Sequence, residues 1–576
     1  MDTDVLIVGA GPVGLSLSAL LSQQGVSNRV IEARGELHQH PQAHVIATRT
    51  MEIFREIGVA DEVAARAAPL EKMSGINWVE SVSGLHIGRL DLTRDHDSLL
   101  ARLAASPVFT ANLAQHLLEP ILLQAAEQKA EISFETELTG LEQGADYVRA
   151  TLNRPGGEEV VTARYVVGCD GARSTVRELI GIAMDGPETL EEYVGLQFDA
   201  DLSPWLEGRP GPVIWIYADG FQGTLIGYDI QTCWVLMVSR SAFPNPERVT
   251  EEDGCTFIRR ALGEEDIPFT FRAAKVWNMS AQVAQSYRRD RTFIAGDAAH
   301  RFPPTGGLGM NSGVQDAHNL AWKLALVLEG QANDALLDTY EEERRPIART
   351  YTDHSVHNVG AMFRVGEALG LFETPPRISE RLELLRNEGE GVAALRASID
   401  EAIEEQRAHF SFLGLDLGYV YRRGALVADP NRSLPDMVHD RAAATDYDGP
   451  LRVGGRFPHL VVDCDGQQGS TLDLIGSEHF TVFVGARHAE RLDEARALFD
   501  RAGLAVRSYT VGSGGMLSLV DTGLPRNEEA VSLLGSGRAI VVRPDGVVGF
   551  IADAADVPLT ASLETALREI VPGVRA

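Results

Sequence analysis

The chain has 576 residues, a formal net charge of −30, and 44% hydrophobic against 23% charged residues. At about 150 residues per domain this length predicts roughly three or four domains, and the acidic balance excludes nucleic acid and anionic membrane surfaces as partners. No apolar run reaches the roughly 18 residues that would span a bilayer, and the start MDTDVLIVGAG carries neither a secretory nor a transit signal, so a soluble cytoplasmic protein is expected.

In chain order, Val5–Val8 reads as a buried strand, Gly9-Ala10-Gly11-Pro12-Val13-Gly14 as a GxGxxG turn, and a helix runs to about Gln24 before a second strand, Arg29–Ile31, ends at Glu32. That is a βαβ dinucleotide fold. Gly9 permits the tight turn, Gly11 lets a pyrophosphate approach the backbone where Pro12 and Val13 open the helix, and Gly14 allows close helix packing. Glu32 is placed to accept from the adenosine ribose. The turn alone leaves FAD and NAD both open. His38–Phe54, HQHPQAHVIATRTMEIF, leads into a helical stretch, and Asn112–Leu123 reads as another helix start. Strands at Ile132–Phe134 and Tyr147–Leu152 predict a β-ribbon returning to a strand at Tyr165–Val167, which enters Gly168-Cys169-Asp170-Gly171-Ala172-Arg173-Ser174-Thr175-Val176-Arg177.

From about Met184 to Arg289 the pattern becomes β-rich, with strands expected at Val194–Phe198, Val213–Tyr217, Gly223–Tyr228, Cys233–Val238 and Phe269–Val276. Trp215 and Trp277 lie in this region, and as isolated residues both read as core packing. Thr292–Ala325 then reads as strand, tight loop and helix. Asp297 projects from the strand's C-terminal edge, where open α/β sheets bind ligands. Gly306, Gly307, Gly309 and Gly313 allow close backbone approach, and a helix from near Ser312 turns its N-terminal amides toward the same place.

LLDTYEEERRPIARTYTDHS predicts an amphipathic helix, residues 374–411 a further helical stretch with a turn at Pro375-Pro376, and Asp429–Arg456 a linker. Leu460–Val571 has the element order of a thioredoxin-like domain: strand Thr481–Val484, helix near Leu492–Ala502, strands Val506–Val511, Ile540–Val542 and Val547–Ile551, and a final helix. It lacks CxxC. Cys169, Cys233, Cys255 and Cys464 are scattered with no metal spacing, which predicts a reducing compartment, no metal site and no disulfide exchange by Cys464.

Three stretches in this order, the GxGxxG turn, GCDGARSTVR and GDAAHRFPPTGGLGMNSG, resemble the single-component FAD-dependent aromatic hydroxylases, the group of 4-hydroxybenzoate hydroxylase and phenol hydroxylase. HQHPQAHVIATRTMEIF is similar to the branch containing 2-hydroxybiphenyl monooxygenase and 2,4-dichlorophenol hydroxylase, although Gln42 stands where that branch usually has arginine. The resemblance implies an α/β protein with a Rossmann-like FAD-binding domain, an inserted β-rich substrate domain and a C-terminal thioredoxin-like domain. The expected boundaries are 1–183, 184–290, 291–410 and 411–576, the FAD-binding domain occupying the first and third. It also implies roles: Arg49 near the flavin phosphates, Gln115 and Asp297 on the ribityl chain, Asp170 at FAD and the visiting NAD(P)H. Gly307, Gly309, and the amides near Met310 and Asn311 would meet the flavin edge. Trp215 and Trp277 would line the substrate pocket, Pro304 would set a carbonyl beside flavin and substrate, and His44 would take a phenolic proton.

The expected function is therefore an NAD(P)H-dependent FAD monooxygenase that uses O2 and a flavin C4a-hydroperoxide to hydroxylate a phenolic ring, heteroaromatic or polyketide, next to an existing hydroxyl. A Baeyer-Villiger or epoxidising oxygenase and a non-enzymatic flavin-binding protein are the alternatives. The expected partner is an aromatic small molecule, and a homo-oligomer is compatible with the sequence.

Overall fold

The computed structural model describes residues 1–93, 96–229, 232–263, 266–387, 390–428, 433–552 and 559–574, with the backbone alone for 96–98. The first sheet, among the described residues, runs in the order Arg288–Arg289, Thr292–Ile294, Gly157–Gly168, Thr3–Val8, Asn28–Ile31, Glu131–Ser133. Thr3–Val8 lies between two parallel neighbours, with Val8 opposite both Gly168 and Ile31. A strand covered on both faces has no polar side to present, and Val5, Leu6 and Ile7 are fully buried. Gly157–Gly168 shows the same rule within one element. Its first half pairs with Val148–Arg154 as a partly exposed ribbon, and its last four residues are all buried in the parallel sheet.

The second sheet has the order Thr270–Met279, Glu191–Asp199, Cys233–Ser239, Phe221–Asp229, Val213–Ala218, Gly75–Val79, His86–Asp91. The five strands expected between Met184 and Arg289 are present. The last two belong to the stretch assigned from sequence to the FAD-binding part, 1–183, and they extend the substrate sheet instead. Gly75–Val79 pairs in parallel with Val213–Ala218, setting Trp78 opposite Trp215 with their rings stacked at 6.1 Å. That pairing joins segments well over a hundred residues apart, so local pattern could not locate it.

The helix after the glycine loop spans Leu308–Leu328, starting four residues before Ser312. The next runs Ala335–Met362 and keeps Pro346 inside it. Helices at Ile378–Asn387, Val392–Glu404 and Arg407–Phe410 fill the stretch expected to be helical. Of the expected linker, residues 429–432 lie outside the described residues, and Arg441–Thr445 forms a short helix.

The C-terminal sheet has the order Val506–Val511, Phe480–Gly485, Ala539–Val542, Val548–Ile551, with helices Glu490–Ala502 and Leu559–Ile570. The small sheet Gln467–Ser470, Val461–Cys464, Ser518–Leu519 and the helix Glu528–Gly535 were not expected. Phe480, Val482 and Leu492 share one apolar cluster with Trp322, Ala332 and Leu336, so this domain is packed onto the FAD-binding domain.

Candidate active site

One cavity of about 2120 Å³ is lined by the GxGxxG turn, the segment around His44, the substrate sheet, the Pro303–Met310 loop and residues 409–413. It is about twice the upper end of the roughly 300–1,000 Å³ of an ordinary small-molecule site.

At its dinucleotide edge the glycines are set by sterics. Gly9 has φ +109°, and a Cβ there would lie 2.4 Å from the Cys169 carbonyl oxygen. A Cβ on Gly14 would lie 2.0 Å from the Gly9 oxygen, whereas at Gly11 it would meet nothing within 4 Å. Gly14 is therefore a helix-packing residue that does not line the cavity, and Gly11 leaves open the space a pyrophosphate needs. The Glu32 carboxylate accepts from Ala10 N–H at 3.0 Å, from Arg34 N–H at 3.0 Å, and from the Arg34 guanidinium at 2.9 and 3.1 Å. Burial pushes Glu32 upward, but these bonds and the Arg34 charge outweigh it and hold the carboxyl below its usual range. Its four acceptor sites are filled by Ala10 and Arg34, so any hydroxyl donor bound there would have to share them with Arg34. Asp170 accepts from Ser174 Oγ at 2.5 Å and from Val176 N–H at 2.9 Å, bracing Ser174, the N-cap of the helix Thr175–Leu179, while it lines the cavity. Burial raises its pKa.

Across the cavity, the strand Thr292–Ile294 ends in the turn Gly296–Ala298. Asp297 opens onto the cavity from surroundings that desolvate it, and its carboxyl is pushed upward against the opposing charges of His300 and Arg301. The helix N-cap is Gly307 in the left-handed region at φ 63°. A helix beginning at Leu308 leaves the N–H groups of Leu308, Gly309 and Met310 without intrahelical acceptors, and all three residues line the cavity. The Asn311 N–H is by helical geometry bonded four residues back, so the free amides lie at Leu308–Met310, one step earlier than expected from sequence. Asn311 does not line the cavity. Its side chain is a latch, accepting from Ala47 N–H at 2.8 Å and donating to the carbonyls of Val45 at 2.9 Å and Gly307 at 2.6 Å. Pro304 lines the cavity, and its carbonyl accepts from Gly307 N–H at 3.2 Å.

The latch holds the segment that carries His44. Val45–Ile46 pairs antiparallel with Ala111–Asn112, which brings His44 Nδ1 to 2.5 Å from Asn112 Oδ1. Asn112 Nδ2 donates to Met73 Sδ at 3.1 Å, so the amide oxygen faces the histidine and accepts its Nδ1–H. That tautomer leaves the lone pair on Nε2. Burial lowers the His44 pKa from 6.5, with the Asn112 bond working against it, so the ring is neutral at pH 7. Tyr228 packs edge-on at 5.0 Å and donates its hydroxyl to the Gln42 carbonyl at 2.7 Å; burial raises its phenol. Asn112 and Tyr228 were missed in the sequence, although Asn112 opens the very stretch in which Gln115 was singled out. Gln115 lines the cavity, and its amide donates to Glu119 at 2.8 Å.

Trp215 and Trp277 both line the cavity. Trp277 stacks on Tyr193 at 5.2 Å, and Trp215 Nε1 is buried with no hydrogen-bond partner. Arg49 is a correction. It is buried, pairs with Glu52 at 3.0 Å and donates to the Asp545 carbonyl at 2.7 Å, so it belongs to the joint with the C-terminal domain and does not line the cavity. The reason is the helix Thr48–Ile57, which turns Arg49 away from the dinucleotide edge toward Glu52 one turn later. Among the described residues no cluster of His, Cys, Asp and Glu could hold a metal ion.

Residues 2–355 match the FAD binding domain family, and residues 451–572 match the family described as aromatic-ring hydroxylase, C-terminal. The chain is 32% identical over 591 residues to 2,4-dichlorophenol 6-monooxygenase of Cupriavidus pinatubonensis, covering 99% of this chain and 96% of that protein. It is 35% identical over 592 residues to aklavinone 12-hydroxylase RdmE of Streptomyces purpurascens, covering 99% of each. Among solved structures it is similar to the flavin-dependent monooxygenase PieE in complex with FAD and substrate, with a TM-score of 0.89, 31% identity and 99% of each chain covered. With the flavin edge, the roofing sheet and the C-terminal domain all matched along one chain, this protein belongs to the family of FAD-dependent aromatic-ring hydroxylases.

Proposed function

We propose that this FAD-dependent monooxygenase hydroxylates a phenolic ring next to its existing hydroxyl, and that His44 is the base that takes the phenolic proton. FAD, when bound, supplies reduction by NAD(P)H and activation of O2; one oxygen atom enters the ring and the other leaves as water. The space beside Gly11 and the free amides at Leu308–Met310 fit a flavin dinucleotide. In this reading Asp297 and Gln115 hold the ribityl chain, the three amides stabilise negative charge at the flavin edge, and Asp170 borders the nucleotide. Trp215, Trp277 and Pro304 orient the aromatic ring, and the substrate sheet excludes water from the reacting atoms.

The observation that carries the proton assignment is the His44–Asn112 bond. It fixes the ring's tautomer and leaves Nε2 as an acceptor on a residue that lines the cavity. Similar proteins act, by their names, on 2,4-dichlorophenol, phenol and aklavinone, so both single-ring phenols and polyketides are candidate substrate classes. Cys169, Cys233, Cys255 and Cys464 are free thiols, which supports a reducing, cytoplasmic setting. No helix among the described residues is long and apolar enough to cross a membrane.

The test is a panel of phenols and hydroxylated polycyclic aromatics added to the purified holoenzyme with NADH or NADPH. The expected result is accelerated NAD(P)H oxidation coupled to a product heavier by one oxygen atom. If no phenol accelerates oxidation, or the product is a lactone or an epoxide, the reading is overturned.

A further inference from the structure

Beyond the flavin motifs, one end of the cavity is built from the helix His96–Ala105 and the segment after Arg407. Arg102 lies in the last turn of that helix, half-buried and lining the cavity. Its guanidinium donates to Ser411 Oγ at 3.3 Å, and among the described residues no carboxylate pairs with it. Among the other half-buried or buried arginines of the cavity wall, Arg34 is paired with Glu32 and Arg240 with Glu192 and Glu247. Arg177 and Arg301, beside the turn Gly296–Ala298, donate to backbone carbonyls, Arg177 to those of Ala298 and Ala172 and Arg301 to that of Ala172, while Arg301 Nε is buried without a partner. Asp416, an acid that lines the cavity beside residues 409–413, accepts from Arg49 N–H instead. Burial and the neighbouring Arg407 both work against the charge on Arg102, and among the described residues no acid offsets them.

A guanidinium has five N–H donors in a planar fork and stays charged in a protein. Leaving such a cation partly desolvated beside a single hydroxyl is unfavourable unless something completes it. The complement is a planar pair of anionic oxygens, which the fork binds in bidentate fashion. Leu99, Phe109 and Phe410 line the cavity at this end, a setting for an aromatic body rather than for a hydrated polyphosphate. The net charge of −30 repels an anionic ligand, so an acidic substrate requires a local cation of this kind.

We propose that Arg102, with Ser411, is an anchoring site for a carboxylate on the substrate, and that the enzyme accepts an aromatic hydroxy acid of more than one ring. The phenol of that acid faces His44 while its carboxylate meets Arg102; this rests on the reading of the cavity as a phenol hydroxylase site. The volume of about 2120 Å³ leaves room for a multi-ring body beside a flavin dinucleotide. Arg102 touches none of the reacting atoms in this proposal and acts on affinity and position.

The experiment measures ligand binding to the oxidised holoenzyme through the flavin absorbance change, which needs no turnover. The probe pairs are 6-hydroxy-2-naphthoate against 2-naphthol and 4'-hydroxybiphenyl-4-carboxylate against 4-phenylphenol, acids of two rings whose carboxylate lies far from the hydroxyl. Wild type is expected to bind each acid about tenfold or more tightly than its neutral partner, the worth of one charge-assisted hydrogen-bond pair. Arg102→Gln should lose that preference while keeping its affinity for naphthol, its FAD content and its Kd for NADPH, and Arg102→Lys should recover part of it. A wild type without preference for the acids overturns the proposal, as does an R102Q variant that weakens acid and naphthol equally, the signature of a purely structural arginine. A loss confined to NADPH binding also overturns it and assigns the site to a cosubstrate phosphate. If the acids bind through Arg102 but no phenol is hydroxylated, the function reading fails and the anchor stands.

Discussion

At the residue scale, proton removal turns on how His44 is held. A phenol titrates near pH 10, so little phenolate exists at neutral pH, and attack by the ring on an electrophilic oxygen favours the phenolate. Burial depresses His44 below 6.5, which keeps it neutral and able to accept a proton at pH 7. The acid limb of the hydroxylation rate should therefore lie below pH 6.5. The stability effect has the same sign: below 6.5 the unfolded histidine takes up a proton that the folded one resists, so stability falls with falling pH. His44→Ala should retain FAD and its reduction by NAD(P)H, yet hydroxylate about 10²- to 10⁴-fold more slowly and release hydrogen peroxide. Stopped-flow traces with peroxide quantification check this. Wild-type rate and coupling on ordinary phenols would remove His44 from the mechanism. Acidic nitrophenols, already ionised, should lose less.

At the scale of elements, the helix Thr48–Ile57 is held at its N-terminus from elsewhere in the chain. Its N-cap residue, Ala47, has no side-chain acceptor, and Asp416 supplies one by accepting from Arg49 N–H at 3.0 Å. Burial pushes Asp416 up to about 7, with Glu52 adding to the shift while the Arg49 N–H and the charges of Arg49 and Arg456 oppose it. As pH rises from about 4 to 7 the unfolded carboxyl loses its proton while the folded one keeps it, so this site lowers stability across that window, with the full penalty above 7. Asp416→Asn keeps an acceptor and removes the charge. Its Tm should exceed wild type at pH 8, with the gain shrinking toward pH 4 to 5. An equal loss at pH 5 and pH 8 would show that the cap requires the carboxylate.

Across the whole molecule, the C-terminal domain is fastened by buried charge. Glu343 lies between Lys323 at 2.9 Å and Arg543 at 2.8 Å, accepts from Ala425 N–H at 2.7 Å, and all three charged side chains are fully buried. Burial pushes Glu343 upward, but the two cations outweigh it and hold the carboxyl below its usual range. Glu343→Gln leaves two buried cations short of a partner and should cost about 3–5 kcal/mol, read by chemical denaturation. A change below about 1 kcal/mol would mean that water reaches the joint. By contrast Cys464, a free, half-buried thiol, has no partner for redox exchange. Cys464→Ser should leave turnover near wild type, and complete loss with the fold intact would give the domain a redox role.

What the sequence determined by itself is what local sterics and periodicity require. Gly9 and Gly14 are legible because a side chain at either collides with backbone in any βαβ turn of this shape, and the strands of the substrate sheet are legible because a half-buried strand alternates. The missing CxxC is likewise legible without coordinates, because no second cysteine stands near Cys464 in the sequence. The start of the helix at Leu308 was less legible, since the loop glycines permit several starting points and only the tertiary position of Gly307 selects one. Partners set by docking were not legible at all. Arg49 meets a carbonyl 496 residues away, Arg102 a hydroxyl 309 residues away, and His44 an amide brought across by strand pairing 68 residues on. A charge or an imidazole carries no local signal of the partner it will meet, because that partner is chosen by which surfaces pack together, and only the tertiary structure decides it.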